Sequence, residues 1–212
     1  MNTGAGFKIG ILFSFLMIFS LSQNSIFAQS NISLQMTKEE RFAKLEPKMI
    51  FPLIKGSKMT GVVPVDFATN VPEPTSEMKL IFDFTQATAN NAQANHVNEG
   101  LEEVARILNL HIASGIQKEK LKAVVVFHSG SILSLMKNEY YLTNYNSNNP
   151  NHEILQKMAN VGVQLIVCGQ SIQFRELDPK EFMSEIQFAL SAKTTLSKYH
   201  QEGYFLLTVN GL

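Results

Sequence analysis

The one thiol of this 212-residue chain, Cys168, closes the run Val163-Gln164-Leu165-Ile166-Val167 and is followed at once by Gly169, Gln170 and Ser171. An apolar run of this length reads as a strand buried on both faces. Its end is therefore the C-terminal rim of a parallel sheet, where open α/β folds bind ligands. Unpaired N–H groups at the start of a following helix lower a thiol pKa and favour the nucleophilic thiolate. Position alone leaves two readings open: a reactive nucleophile, or the small buried hydrophobe that free cysteines commonly are. Two further strand ends bring polar residues to the same rim, Asp83 with Thr85 and the run His128-Ser129-Gly130-Ser131. In one convergent site Cys168 is the nucleophile and His128 a base or thiolate partner. The N–H groups around Gly169, Gln170 and Ser171 then form an anion-stabilising nest. The plainer alternatives are a histidine bonded to a loop and an Asp83 that caps a neighbouring amide.

The elements that must position these residues are short apolar runs at 79–84, 123–128, 163–168, 186–190 and 204–209, separated by amphipathic stretches. Val97, Leu101, Val104, Leu108 and Ile112 recur at helical spacing, with Glu102 and Arg106 as an outward-facing pair and Ser114-Gly115 as the stop. The next connection reads as a turn of helix over 131–136, a polar exposed loop over 140–149, and a helix that Asn151 caps and Gly162 ends. Asp178, Pro179 and Glu181 spell a capping box, and a last helix over 192–202 stops at Gly203. Strands and helices that alternate in this way predict an α/β fold, a three-layer α/β/α sandwich with a mainly parallel five-stranded sheet.

Residues 1–28 read as an export signal: Lys8, an apolar stretch from Ile9 to Leu21 too short to span a bilayer, and a small residue at Ala28. The expectation is an exported protein, periplasmic or secreted, with no stable membrane anchor after cleavage. Residues 29–77 read as an irregular arm interrupted by Pro47, Pro52, Pro64, Pro72 and Pro74, with one short helix that Thr37 and Glu40 cap. Residues 78–212 form the domain. Lys+Arg and Asp+Glu are equal at 18 each, so no nucleic acid is expected as a partner. No glycine-rich phosphate loop, dinucleotide fingerprint or hydrolase elbow occurs, and the five histidines lack ligand spacing, so neither cofactor nor metal is expected.

Several segments, in order, resemble the DsrE/DsrF-like (YchN-like) family of small sulfur-relay proteins. They are Lys79-Leu80-Ile81-Phe82-Asp83-Phe84-Thr85, Arg106-Ile107-Leu108-Asn109-Leu110, Val125-Val126-Phe127-His128-Ser129-Gly130 and Asn149-Pro150-Asn151. The series continues through Gly162-Val163, Val167-Cys168-Gly169-Gln170-Ser171 and Gln201-Glu202-Gly203-Tyr204. The resemblance implies a homo-oligomer (dimer, trimer or hexamer) and a cysteine that carries sulfane sulfur as a persulfide. Cys168 matches that cysteine, with His128 and Gly130 lining the same pocket. A thiol or sulfane-sulfur donor and acceptor are then the partners. The alternative is a non-catalytic ligand-binding or assembly module whose Cys168 is only packed.

Overall fold

A computed structural model describes residues 36–87 and 95–209. The signal read over 1–28 and the first residues of the arm lie outside the described residues. Helix α1, Lys38–Leu45, has the capping box expected of its sequence: Thr37 Oγ1 accepts from Glu40 N, and the Glu40 carboxylate accepts from Thr37 N at 2.9 Å. This helix belongs to a unit of its own that ends at Pro47.

In the second unit five strands form one parallel sheet: β1 Met78–Phe84, β2 Leu121–Phe127, β3 Gln164–Cys168, β4 Ile186–Ala189 and β5 Phe205–Thr208. Their spatial order is β4-β3-β2-β1-β5. Right-handed crossovers explain the layers. The steps from β1 to β4 all run one way and leave α2 (Glu99–Ala113), α3 (Asn138–Tyr145), α4 (His152–Asn160) and α5 (Gly169–Phe174) on one face. The return from β4 to β5 carries α6 (Ala192–Gln201) over the other face. The sequence reading of a three-layer α/β/α sandwich therefore holds, and the sheet is parallel throughout.

Strand alternation sorts the side chains. Leu80, Phe82, Phe84, Val125, Phe127, Leu165 and Val167 pack toward α2 and α4, whereas Ile81, Val124, Val126, Ile166 and Cys168 pack under α6 with Ala192 and Tyr199. Asp83 pairs in register with Val126, and Val126 with Ile166. Asp83, His128 and Cys168 thus share the α6 face at the C-terminal rim of three adjacent strands.

Residues 50–62 form a strap on the opposite layer. Ile50 and Val62 make an antiparallel bridge, and Ile54, 1% exposed, enters the main core. The buried carboxamide of Asn109 on α2 fastens it. Its Oδ1 accepts from Leu53 N and Ile54 N, each at 2.9 Å, and its Nδ2 donates to the carbonyls of Ile54 and Thr60, each at 2.8 Å.

Several local expectations change. Arg106 pairs with Glu103, not Glu102, at 2.7 Å, because Glu102 is buried and accepts a hydrogen bond from the Ser57 hydroxyl. The polar stretch read as a loop over 140–149 is helical as far as Tyr145. Its Tyr141 is buried, and Asn149 is buried with its amide donating to the carbonyls of Ser134 and Met136. Asn151 makes no side-chain cap for α4; its Oδ1 accepts from Asn98 N at 2.8 Å instead. Asp178 does accept from Lys180 N, but the turn it starts is a single 3-10 turn, Pro179–Glu181. Among the described residues no helix is long and apolar enough to cross a membrane.

Candidate functional site

Cys168 is the last residue of β3, and α5 begins at Gly169 without an intervening loop. That abrupt change needs the glycine. A Cβ built on Gly169 would stand 2.7 Å from the carbonyl oxygen of Ala189 and 3.3 Å from that of Leu190, both backbone atoms at the exit of β4. Gly169→Ala is therefore expected to destabilise the fold by about 1–3 kcal/mol, read from a denaturant melt, since neither carbonyl can yield as a flexible side chain would. A melt indistinguishable from wild type would show that the two strand ends have slack.

The close approach brings two segments around the sulfur. Burial raises the Cys168 pKa, but hydrogen bonds from the Ser171 hydroxyl and from the backbone N–H groups of Ser171, Ala192 and Gln170 outweigh it. The net result is a thiol more acidic than usual. Gln170 and Ser171 lie in the first turn of α5, and Ala192 is the first residue of α6. The nest expected from Gly169 to Ser171 is thus built from both sides of the sheet's rim, with Gly169 contributing space. A further bond, from Gln170 Nε2 to the Leu190 carbonyl at 3.4 Å, ties the same two segments.

Beside this, on the same face, His128 Nε2 lies 2.6 Å from Asp83 Oδ1, with the two side chains 16% and 30% exposed. The carboxylate fixes an Nε2–H tautomer in the neutral ring and leaves Nδ1 as acceptor for the Ser129 hydroxyl at 3.3 Å. The two ring nitrogens of His128 are therefore engaged by Asp83 and Ser129 rather than by the thiol. Ser129 has a left-handed backbone, φ 59°, a conformation that costs a non-glycine residue about 1–2 kcal/mol. Two contacts hold it there: its N–H donates to Ser171 Oγ at 3.0 Å, and its carbonyl accepts from Arg175 Nε at 3.2 Å. Gly130 allows the loop to pass Ala87, whose Cβ would be 2.6 Å from any Cβ at position 130.

An open cleft of about 720 Å³ adjoins these residues, lined by Ser129, Gln170, Ser171, Gln173, Phe174 and Arg175. Cys168 is 5% exposed and lies behind Gln170 and Ser171, the two residues that both hold the sulfur and face the cleft. Of the residues singled out from sequence, Cys168, Gln170 and Ser171 meet at the sulfur, Asp83 pairs with His128, and Gly130 lies in the loop between them. Sequence reasoning brought Ser129 to the rim without giving it a role, and it missed Arg175 and Ala192. Ser129 and Ala192 act through backbone conformation or a backbone N–H, which residue type does not announce. Arg175 had no motif around it.

A parallel sheet, a thiol of lowered pKa at one strand end and an open cleft beside it make up the site. The chain belongs to the DsrE/DsrF-like family, whose model matches residues 65–209. Among solved structures it is similar to a protein of unknown function, MTH1491 from Methanobacterium thermoautotrophicum. That likeness has 13% identity and a TM-score of 0.46, and covers 62% of this chain and 98% of that one. No curated protein matches the chain.

Proposed function

We propose that the protein is a sulfur carrier in which Cys168 accepts a sulfane sulfur as a persulfide and yields it to a second thiol. The observation that carries this reading is a thiol at a strand's C-terminal end, entering a helix directly, whose pKa the Ser171 hydroxyl and the N–H groups of Ser171, Ala192 and Gln170 lower. They favour the thiolate, which is the attacking species. Membership of the DsrE/DsrF-like family supports the same assignment. The thiolate forms a bond to the donor's outer sulfur while the donor's own bond to that sulfur breaks, the electron pair leaving with the donor. Cys168 is the chain's single cysteine, so the acceptor thiol must come from another molecule.

Export and self-assembly belong to the same proposal. The apolar run from Ile9 to Leu21 supports the first. Phe205 and Leu206, exposed on the edge strand β5, support the second, because open strand edges invite pairing.

The test is the intact mass of the purified protein before and after a sulfane-sulfur donor, beside Cys168→Ser. Wild type is expected to gain multiples of about 32 Da and the variant none. A second reading, a binding or assembly module with a packed thiol, is favoured by the low exposure of Cys168 among Ile81, Val126 and Ile166. Failure to gain sulfur, with alkylation of the native thiol no faster than local unfolding permits, would establish that second reading and overturn the first.

A further inference from the structure

The cleft beside the sulfur has an electrostatic character that the thiol alone does not explain. Five of its six lining side chains are uncharged and the sixth is the guanidinium of Arg175. No carboxylate of the described residues forms an ion pair with that guanidinium. It is held in place nonetheless. Nε donates to the Ser129 carbonyl and Ser129 N donates to Ser171 Oγ, so two hydrogen bonds tie the cation to the first turn of the helix that Cys168 leads into. The Nη2 atom lies 3.7 Å from where a Cβ of residue 130 would stand, a place that the Ala87 Cβ already crowds at 2.6 Å, so the guanidinium sits at the packed turn of the Gly130 loop. With Nε occupied, the Nη groups retain a forked donor pair matched to a planar or tetrahedral oxyanion.

We infer that Arg175 is a specificity-determining residue for the sulfur donor, and that the donor class is a small anionic sulfane-sulfur compound bearing an oxyanion or a carboxylate on its leaving group. This rests on the persulfide reading of Cys168. Thiosulfate and a carboxylate-bearing persulfide such as glutathione persulfide share that chemistry. With thiosulfate, a Cys168 Sγ bond to the outer sulfur forms, the sulfur–sulfur bond of the donor breaks, and sulfite leaves with the electron pair. With a persulfide anion the leaving group is the thiolate. Charge is conserved in both cases and no oxidant or reductant is consumed. Two anions must approach for either reaction, and Arg175 offsets their repulsion and holds the departing charge. A cleft of about 720 Å³ is ample for molecules of this size.

The experiment measures initial rates of sulfur gain on Cys168 by intact mass for the full chain. The donors are thiosulfate, glutathione persulfide and 2-hydroxyethyl persulfide, whose tail is uncharged. Wild type, Arg175→Gln and Arg175→Lys are compared. The ratio of the anionic-tail rate to the uncharged-tail rate is expected to fall about tenfold in Arg175→Gln and to recover in large part in Arg175→Lys. A general loss of packing would lower all rates together and leave that ratio alone. The donor whose ratio falls further tells oxyanion from carboxylate. An unchanged ratio in Arg175→Gln overturns the role of Arg175 while leaving sulfur loading in place. Wild type that gains no sulfur from any of the three donors overturns the carrier reading itself.

Discussion

Asn109→Ala is expected to lower the stability of the domain by about 3–5 kcal/mol, a loss visible as a melting point lower by roughly 10 °C. The carboxamide is fully buried and makes four hydrogen bonds to the strap over 50–62. Removing it strands the N–H groups of Leu53 and Ile54 and two carbonyls away from water, and each buried group left unpaired costs about 1–3 kcal/mol unless the strap lifts away. Asn109→Leu, which keeps the branched shape and leaves no void, is expected to lose at least as much. That comparison separates lost hydrogen bonds from a simple cavity. A loss under about 1 kcal/mol in both variants would mean that the strap is fastened elsewhere.

Ser171→Ala is expected to slow alkylation of Cys168 at neutral pH roughly tenfold, because it removes a hydrogen bond made to a charged acceptor. The direction follows from which protonation state the hydroxyl favours. It donates to the sulfur and so stabilises the thiolate. Without it the folded-state pKa rises toward the ordinary thiol range, and the pH at which alkylation reaches half its maximal rate moves upward. The plateau at high pH, where both proteins are thiolate, is expected to differ much less than the rate at neutral pH. The variant also releases Ser129 N, whose strained backbone the same hydroxyl anchors. A profile that shifts down in pH, or a rate unchanged at every pH, would show that Ser171 does not hold the thiolate.

What was legible in the sequence divides along physical lines. Strand runs and helix stops were readable because burial on both faces of a parallel strand leaves continuous apolar runs, and because Gly115, Gly162 and Gly203 take the positive φ that ends a helix. The segment 138–145 was not. Its polar residues carry little amphipathic pattern, and what makes it a helix is tertiary: a buried Tyr141 and a left-handed stop at Asn146. The Glu102 and Arg106 pairing failed for a related reason. Spacing of four placed them side by side, but burial took Glu102 for Ser57 and left Glu103 to the arginine. At the rim, residue type and strand-end position sufficed to bring out Cys168, His128 and Asp83. The atoms that tune the sulfur are mostly main-chain N–H groups, one of them from a helix 24 residues further on. Those of Gln170 and Ser171 follow from the sequence, whereas that of Ala192 becomes visible only when the sheet order places α6 over the end of β3.

Because its donors come from two separate segments, the sulfur's acidity depends on a helix distant in sequence. Strands β1, β2 and β3 occupy adjacent places in the sheet, and on their own they leave Cys168 with only the amides that immediately succeed it. Ala192 joins only when the α6 segment swings back across the sheet toward β5. A chain in which α6 has come away from the sheet is therefore expected to hold a less reactive sulfhydryl, so the docking of one distant helix governs the chemistry of the sulfur.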